Sequence, residues 1–357
     1  MNQFKFILLA VGFGFFFGIL AATWQPLSGI FTIHHKNDSL ADAAASAAPS
    51  VVNIFTSTIN HPLSARQDNI NPHKSQLRKG ISLGSGVIVD SSGLIMTNLH
   101  VLKKASAISI QLHDGRRANA SIVGIDEATD LALIKVEMND ISPIFFGDSD
   151  IMRVGDKVLA IGNPFGFGQT VTQGIISAKG RYGLNLNTYE NFIQTDAAVN
   201  TGSSGGALIN SRGQLIGMTS ANYTRTGGSL GIALATPVEI ITKVLRDIVE
   251  HGFVVRGWIG LEVTQITTEL AKKRGFISSS GVMVTFIHPQ SPAASAGIKP
   301  GDIITAINNK PISTGHDGLL EVAEMNPGTT VKISLVRDQK NITLETRLGI
   351  RPINSKR

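Results

Sequence analysis

The residues most suited to chemistry lie in the stretch 200–208, where Ser203 and Ser204 are flanked by glycines. A serine hydroxyl is a weak nucleophile at neutral pH unless a base takes its proton and hydrogen-bond donors stabilise the oxyanion that forms. Flanking glycines let the backbone turn tightly enough to expose the hydroxyl and to aim peptide N–H groups at one point. Alone, this pattern fits an ordinary turn between strands equally well, so residues elsewhere must decide.

A nucleophilic serine needs an imidazole base, and the base needs a carboxylate that fixes its tautomer. His100 stands at the end of an apolar, strand-like run, and Asp130 stands directly before another one. Each residue alone is more often structural, as a packed histidine or as an ordinary aspartate at the start of a strand. Their order with Ser204 is that of chymotrypsin-type double barrels, which favours the catalytic interpretation.

Five short strings, in order between residues 83 and 208, resemble the HtrA/Deg family of serine proteases, and the resemblance covers roughly residues 48–350. They are LGSGVI at 83–88, TNLHV at 97–101, TDLA at 129–132, AIGNP at 160–164 and GSSGGAL at 202–208. The resemblance implies that His100 is the general base and acid, that Asp130 orients it, and that Ser204 is the nucleophile. It also implies an oxyanion hole of the backbone N–H groups of Gly202 and Ser204, with Ser203 between them. Ser203 replaces an asparagine that is usual in the family, and we expect this to be tolerated because the donors are backbone groups.

Substrate selection is predicted from two further segments. Ile232, Ala233 and Leu234 resemble the family's strand that pairs with the substrate and lines the pocket before the cut. Ala198, six residues before Ser204, carries no charge, which disfavours a preference for lysine or arginine. The prediction is an apolar pocket of limited size that takes valine, isoleucine or a similar side chain. The alternative is that these residues are plain barrel core.

The pattern of strands predicts a mostly β protein. Short apolar runs separated by Gly, Asp and Asn between residues 51 and 219 favour antiparallel barrels over βαβ units. Apolar residues at helical spacing in 237–250, followed by Gly252, predict a helix that closes this region. The predicted domains are an anchor and linker at 1–35, a chymotrypsin-like double barrel at 36–252 and an α+β module at 253–352.

The last module resembles a PDZ domain, and we expect only one in the chain. Trp258, Ile259, Gly260 and Leu261 match its carboxylate-binding loop, in which backbone N–H groups hold the C-terminal carboxylate of a peptide. Such a peptide adds as a strand to the edge of the sheet. A second PDZ-like string, 291–304, serves the structure of the module more than ligand contact.

The N-terminal residues 6–23 form an uncharged apolar run of about 18 residues. This length spans a bilayer core, whereas the apolar part of a signal peptide is usually about 7–15 residues long. The run predicts an uncleaved transmembrane helix, and Lys5 before it predicts that the bulk of the chain lies outside the cytoplasm. Small residues at Ala21, Ala22 and Thr23 keep a cleaved signal peptide as the alternative.

The composition argues against other classes of function. The chain has no cysteine, which excludes disulfides and thiol catalysis. Its 32 basic and 26 acidic residues give a net charge of +6, but the basic residues form no stripe, so nucleic-acid binding is not expected. We expect no metal and no cofactor.

An anchor with one protease domain and one PDZ domain resembles the membrane-anchored regulatory branch of the family. The resemblance implies a homotrimer in the bacterial inner membrane, with both domains in the periplasm. Its PDZ domain would sense C-termini of misfolded outer-membrane proteins, and its protease would cut a membrane-spanning anti-sigma factor. Arg181 and Phe165 match the residues that relay the signal. The alternatives are a general quality-control protease and an inactive chaperone or scaffold, and an intact triad argues against the scaffold.

Overall fold

The structure, a computed structural model, describes residues 39–59, 79–103, 105–164, 168–222, 231–266 and 281–352. The described residues from Leu40 onward belong to one compact unit. Within these ranges, no helix combines the length and the apolar character needed to cross a membrane. The predicted anchor at 1–35 lies outside the described residues.

Two closed six-stranded antiparallel barrels follow one another in the chain. The strands of the first pair in the order β1-β2-β3-β6-β5-β4 and are β1 (Val51–Ile59), β2 (Lys79–Ile88), β3 (Leu94–Asn98), β4 (Ala107–Gln111), β5 (Arg117–Asp126) and β6 (Leu131–Val136). Those of the second pair in the order β10-β11-β12-β9-β8-β7 and are β7 (Lys157–Gly162), β8 (Thr170–Arg181), β9 (Phe192–Thr195), β10 (Ala207–Asn210), β11 (Leu215–Asn222) and β12 (Ala233–Pro237).

Several strands are apolar on both faces because the two faces pack against different cores. Ile134 lies inside the first barrel, while its neighbour Leu133 packs in the cluster between the barrels with Ile161 of β7 and Ile209 of β10. Successive residues of a strand point to opposite faces, so alternate residues of one apolar run fill the two cores. This places the two barrels side by side with the loops after β3 and before β10 at their junction.

The described residues before the C-terminal module include two short α-helices and one long one, besides a single 3-10 turn at Ala48–Ser50. The α-helices are α1 (Ala41–Ala47), α2 (Leu99–Leu102) and α3 (Val238–His251). The apolar side of α3 packs into the cluster between the barrels. Gly252 ends it with φ of +79°, and its N–H donates to the carbonyl of Ile248. The helix predicted at 237–250 is confirmed to within one residue at each end.

In its described residues, the C-terminal module is an antiparallel sheet with two α-helices. Its sheet has the order β14-β15-β16-β18-β19, with β17 on β16, and β13 pairs separately with β20. Its elements are β13 (Gly257–Trp258), β14 (Leu261–Gln265), β15 (Val282–Ile287), α4 (Pro292–Ser295), β16 (Ile303–Ile307), β17 (Lys310–Pro311), α5 (Gly315–Glu324), β18 (Thr330–Arg337), β19 (Lys340–Arg347) and β20 (Gly349–Ile350). The predicted fold class, a double antiparallel barrel followed by an α+β module, is confirmed.

Candidate active site

Ser204 lies in a tight loop that leads into β10. The N–H of Gly205 donates to the carbonyl of Thr219 (2.7 Å), and the N–H of Gly206 donates to that of Ser203 (2.9 Å). The Thr219 hydroxyl also donates to the carbonyl of Ser203 (2.7 Å). These bonds tie the loop to β11, so the position of Ser204 is set by the second barrel.

The first barrel also holds this loop, through Ser85 of β2. The N–H of Ser85 donates to the carbonyl of Ser204 (2.8 Å), and its hydroxyl donates to that of Gly202 (2.8 Å). Gly205 has φ of +83°, and a Cβ there would lie 2.1 Å from the Ser85 carbonyl oxygen. Only glycine therefore fits this position without displacing the loop.

Not every backbone donor of the loop has an acceptor among the described residues. The N–H groups of Ser203, Gly205 and Gly206 donate within the protein, whereas those of Gly202 and Ser204 do not. Buried N–H groups are nearly always paired, so unpaired donors beside a serine hydroxyl form a site ready for an oxyanion. These are the two groups that the sequence predicts for the oxyanion hole.

His100 and Asp130 form a hydrogen-bonded pair at the junction of the barrels. Nδ1 of His100 lies 2.5 Å from Oδ2 of Asp130, and the backbone N–H of His100 donates to Oδ1 (2.9 Å). Asp130 has φ of +58°, and its carbonyl accepts from the N–H of Leu99 (2.9 Å). Because Nδ1 faces the carboxylate, the imidazole presents Nε2 to a substrate.

Asn98, at the end of β3, connects this pair to the serine. Its buried amide nitrogen lies 3.0 Å from the carbonyl of Asp130 and 3.5 Å from the hydroxyl of Ser220. The carbonyl of Ser220 in turn accepts the hydroxyl of Ser204 (3.0 Å). Among the described residues, no hydrogen bond joins Ser204 to His100. The Ser204 hydroxyl must therefore turn from Ser220 toward Nε2 of His100 before the two can exchange a proton.

The predicted substrate strand needs a correction. Ala233 and Leu234 lie in β12, which pairs with β11 on one edge and with β9 on the other. Both edges are occupied and both side chains are buried, so these residues cannot pair with a substrate backbone. Ile232, just before the strand, is 38% exposed. Ala198 and Ser203 line the same small cavity of about 60 Å³, which places Ala198 beside the nucleophile loop.

Arg181 ends β8, and its Nε donates to the side-chain oxygen of Gln194 (2.9 Å). The next residue, Tyr182, stacks on His316 of α5 with ring centroids 4.2 Å apart. The segment after β8 therefore contacts the C-terminal module directly. The relay role of Arg181 stays a prediction, and Phe165 lies outside the described residues.

A buried ion pair joins the C-terminal module to the first barrel. Both guanidinium nitrogens of Arg256 donate to Asp126, at 2.8 and 2.5 Å. Thr129, the residue directly before Asp130, also donates its hydroxyl to Asp126 (2.5 Å). Tyr189 packs under the Arg256 guanidinium at 4.5 Å, and its N–H donates to the carbonyl of Ala128 (2.9 Å). Arg256 and Tyr189, at the boundary between the two domains, thus hold the turn that carries Asp130.

The carboxylate of Glu190 organises the segment that precedes Tyr189. It accepts the backbone N–H groups of Leu184 (2.7 Å), Leu186 (2.6 Å) and Asn187 (3.1 Å). Burial raises the pKa of this carboxyl, but the backbone donors outweigh burial and hold the pKa below its ordinary value. A charged Glu190 therefore stabilises the folded segment.

The predicted carboxylate loop lies at the entrance of a cavity of about 310 Å³ between β14 and α5. Gly260 has φ of +84°, and a Cβ there would lie 2.3 Å from that of Ser291. The N–H groups of Ile259 and Gly260, both buried, donate to no acceptor in the described part of the chain. The cavity is lined mainly by apolar side chains, including Leu319 and Val322 of α5.

Reasoning from the sequence did not assign roles to several residues of the site. They are Ser85, Asn98, Tyr189, Arg256 and Ser220. Ser85 and Asn98 are polar residues beside the apolar runs 86–88 and 94–96, which is a signal that the sequence does contain. The contacts of Tyr189 and Arg256 arise from residues more than 60 positions apart, and no local pattern indicates them.

Comparisons with known proteins agree with this geometry. Residues 84–218 match the trypsin-like peptidase domain family, and residues 257–348 match the PDZ domain family. Serine endoprotease DegS of Escherichia coli K12 is 40% identical over 86% of this chain and 84% of its own length. Periplasmic serine endoprotease DegP of Salmonella typhimurium is 40% identical over 95% of this chain and 78% of its length. The chain spans only 58% of DegP of E. coli K12, at 46% identity.

Solved structures give the same result. The HtrA-type protease AlgW in complex with a decapeptide is 42% identical, with a TM-score of 0.77 over 88% of this chain and 99% of the other. The serine endoprotease from Yersinia pestis is 37% identical, with a TM-score of 0.64. Fold, loop geometry and mutual coverage agree, and the chain belongs to the HtrA family of serine endoproteases.

Proposed function

We propose that Ser204, His100 and Asp130 carry out peptide hydrolysis through an acyl-enzyme. The proposal rests on the hydrogen bond between His100 and Asp130, which leaves Nε2 free to act as a base. Nε2 takes the proton of the Ser204 hydroxyl as Oγ bonds to the substrate carbonyl carbon. The imidazolium then gives that proton to the leaving amine as the peptide bond breaks. In the second half, His100 takes a proton from water, the water oxygen bonds to the acyl carbon, and Ser204 leaves with the proton that His100 returns.

The unpaired N–H groups of Gly202 and Ser204 stabilise the oxyanion of each tetrahedral intermediate. Both groups are fixed to the backbone, so the side chain at Ser203 makes no contribution to this charge. Replacing Ser203 with asparagine is therefore expected to leave kcat close to that of the wild type.

We further propose that the chain is a regulatory protease of the DegS type. Its PDZ domain senses the C-termini of misfolded outer-membrane proteins, and its protease makes the first cut in a membrane-spanning anti-sigma factor. Support comes from coverage of 84% of DegS and from the direct contact between Tyr182 and His316. Because ligand binding at the PDZ domain changes one side of that contact, it can alter the other.

The second candidate is a general periplasmic quality-control protease and chaperone. It is favoured by relatives of similar identity, among them DegP and the periplasmic pH-dependent serine endoprotease DegQ of E. coli K12, which is 44% identical. Such an enzyme degrades unfolded proteins without needing a separate activating peptide. The two candidates therefore differ in their response to a peptide.

One assay separates the candidates. Residues 36–357 are incubated with unfolded casein or with an anti-sigma-factor-like membrane protein, in the presence or absence of a decapeptide with an apolar C-terminus. A regulator cuts the second substrate only when peptide is present and leaves casein largely intact. Rapid loss of casein without peptide supports the general protease, and undiminished cutting by Ser204→Ala overturns both.

The proposed cellular setting is the inner membrane, with a helix at 6–23 as anchor, both domains in the periplasm, and three chains per assembly. The apolar run and the periplasmic relatives support it. Carbonate extraction of membranes tests the anchor, and sedimentation of the chain without residues 1–35 tests the trimer. Release by carbonate contradicts the anchor, and a monomer contradicts the assembly.

A further inference from the structure

Arg351, directly after β20, lies on the cavity of the predicted carboxylate loop. The cavity is lined by Arg351 together with Trp258, Gly260 and Tyr189. The strand pair β13–β20 sets this position, because Gly257 pairs with Ile350. Arg351 therefore lines the same cavity as the loop that is proposed to receive a peptide's C-terminus.

The charge of Arg351 has no acidic partner in the described part of the chain. Its guanidinium donates to the hydroxyl of Tyr189 and lies 5.3 Å from the centre of that ring. The other cation on Tyr189, Arg256, is neutralised by Asp126. A partly buried guanidinium without a carboxylate is uncommon in proteins, because burial penalises an uncompensated charge.

The same cavity holds a second set of unpaired donors. The buried N–H groups of Ile259 and Gly260 have no described acceptor. Two backbone donors and one unpaired cation on one apolar cavity form a site for an anion that carries an apolar side chain. A peptide C-terminus has both features, because its carboxylate is joined to the last side chain.

We propose that Arg351 binds the carboxylate of the activating peptide. To do this, its guanidinium gives up the hydrogen bond to the Tyr189 hydroxyl. This inference rests on the proposed role of the PDZ domain and adds a residue that the loop motif does not contain. The ligand and Tyr189 then compete for one guanidinium. The N–H of Tyr189 donates to the carbonyl of Ala128, two residues before Asp130, so the exchange occurs next to the catalytic turn.

The test compares two fluorescein-labelled decapeptides that end in phenylalanine, one with a free carboxylate and one with a C-terminal amide. Fluorescence anisotropy gives the Kd of each for the wild-type chain, Arg351→Gln and Arg347→Gln. Arg347 is an exposed arginine of β19 outside this cavity, so it is the matched control for loss of charge.

Arg351→Gln is expected to weaken the free-carboxylate peptide by about tenfold or more, the usual effect of losing a charge-assisted hydrogen bond. Its affinity for the amide peptide changes little, and Arg347→Gln matches the wild type with both peptides. Tyr189→Phe removes the competing hydroxyl but keeps the ring, so it is expected to bind the carboxylate peptide about three- to tenfold more tightly.

Two results overturn the proposal in different ways. If Arg351→Gln keeps the wild-type preference for carboxylate over amide, Arg351 has no role in binding, while the PDZ function stands. If the wild-type chain binds neither peptide, the PDZ function fails and the role of Arg351 fails with it. Weaker binding by Tyr189→Phe contradicts the competition between ligand and hydroxyl.

Discussion

At the scale of single residues, the proposed catalysis depends on how Asp130 holds His100. The carboxylate receives both Nδ1 and the backbone N–H of His100, so it fixes the tautomer and the orientation of the ring. Asp130→Asn is expected to lower kcat by about 10⁴-fold with little change in KM, since an amide favours the wrong tautomer. Steady-state cleavage of a peptide substrate measures this.

Asp114→Asn is the matched control, because Asp114 lies in the exposed hairpin turn between β4 and β5 and bonds to Arg116. It is expected to keep wild-type kcat and KM. An Asp130→Asn enzyme with more than a tenth of wild-type kcat would contradict the proposed role of the carboxylate.

At the scale of elements, the loop before β10 needs glycine at position 205. Gly205→Ala is expected to reduce kcat at least a hundredfold, because its Cβ meets the carbonyl of Ser85 and shifts Ser204. Gly115→Ala is the control, since Gly115 also has positive φ (+91°) but no atom near its Cβ. That change should cost only about 1 kcal/mol of stability and leave kcat unchanged.

The segment 183–190 is a second element, and the carboxylate of Glu190 stabilises it. Because the pKa of Glu190 is held below its ordinary value, its contribution to stability is present above pH 4.5 and is lost as the pH falls through the lowered pKa. Glu190→Gln is expected to lower the free energy of unfolding by about 1–3 kcal/mol at pH 7. Circular dichroism melts from pH 7 to pH 3 measure this, and a difference that grows toward acid pH would contradict it.

At the scale of the whole molecule, the pKa of Glu324 at the end of α5 is shifted in the direction opposite to that of Glu190. Burial raises its pKa, Lys310 opposes this, and Glu321 and Asp150 add to the increase. A raised pKa gives stability that is present below the ordinary value of 4.5 and is lost as the pH rises through the folded pKa. Glu324→Gln is therefore expected to raise Tm at pH 8, with the gain disappearing near pH 4.

The exposed Glu345→Gln of β19 is a control in that experiment, since its charge faces solvent on the same module. Equal gains from both substitutions would mean that general charge, and not the burial of Glu324, sets the pH dependence.

The sequence predicted much of this fold because local patterns encode it. Apolar runs and Gly252 marked the strands and α3, and short motifs placed His100, Asp130 and Ser204. The polar run after Phe55 carries no apolar alternation, yet β1 continues to Ile59 and pairs with β2 from Lys79 onward. A strand built mainly of polar residues gives no hydrophobic pattern that would mark it in the sequence.

Local capping and tertiary contacts decide what the patterns leave open. α5 begins at Gly315 because Thr314 and Asp317 form a capping box before it. Ala233 and Leu234 were assigned to substrate pairing, and the occupied edges of β12 became visible only with the barrel closed. The contacts of Arg256 and Arg351 with Tyr189 depend on how two domains meet, which local sequence does not encode.

Chemical labelling tests most directly whether Ser204 is the nucleophile. The chain is incubated with a fluorophosphonate, and the modified residue is located by peptide mass spectrometry. We expect one adduct on Ser204 that persists in Ser203→Ala, is absent in Ser204→Ala and is strongly slowed in His100→Ala. An adduct on Ser203, or full labelling without His100, would contradict it.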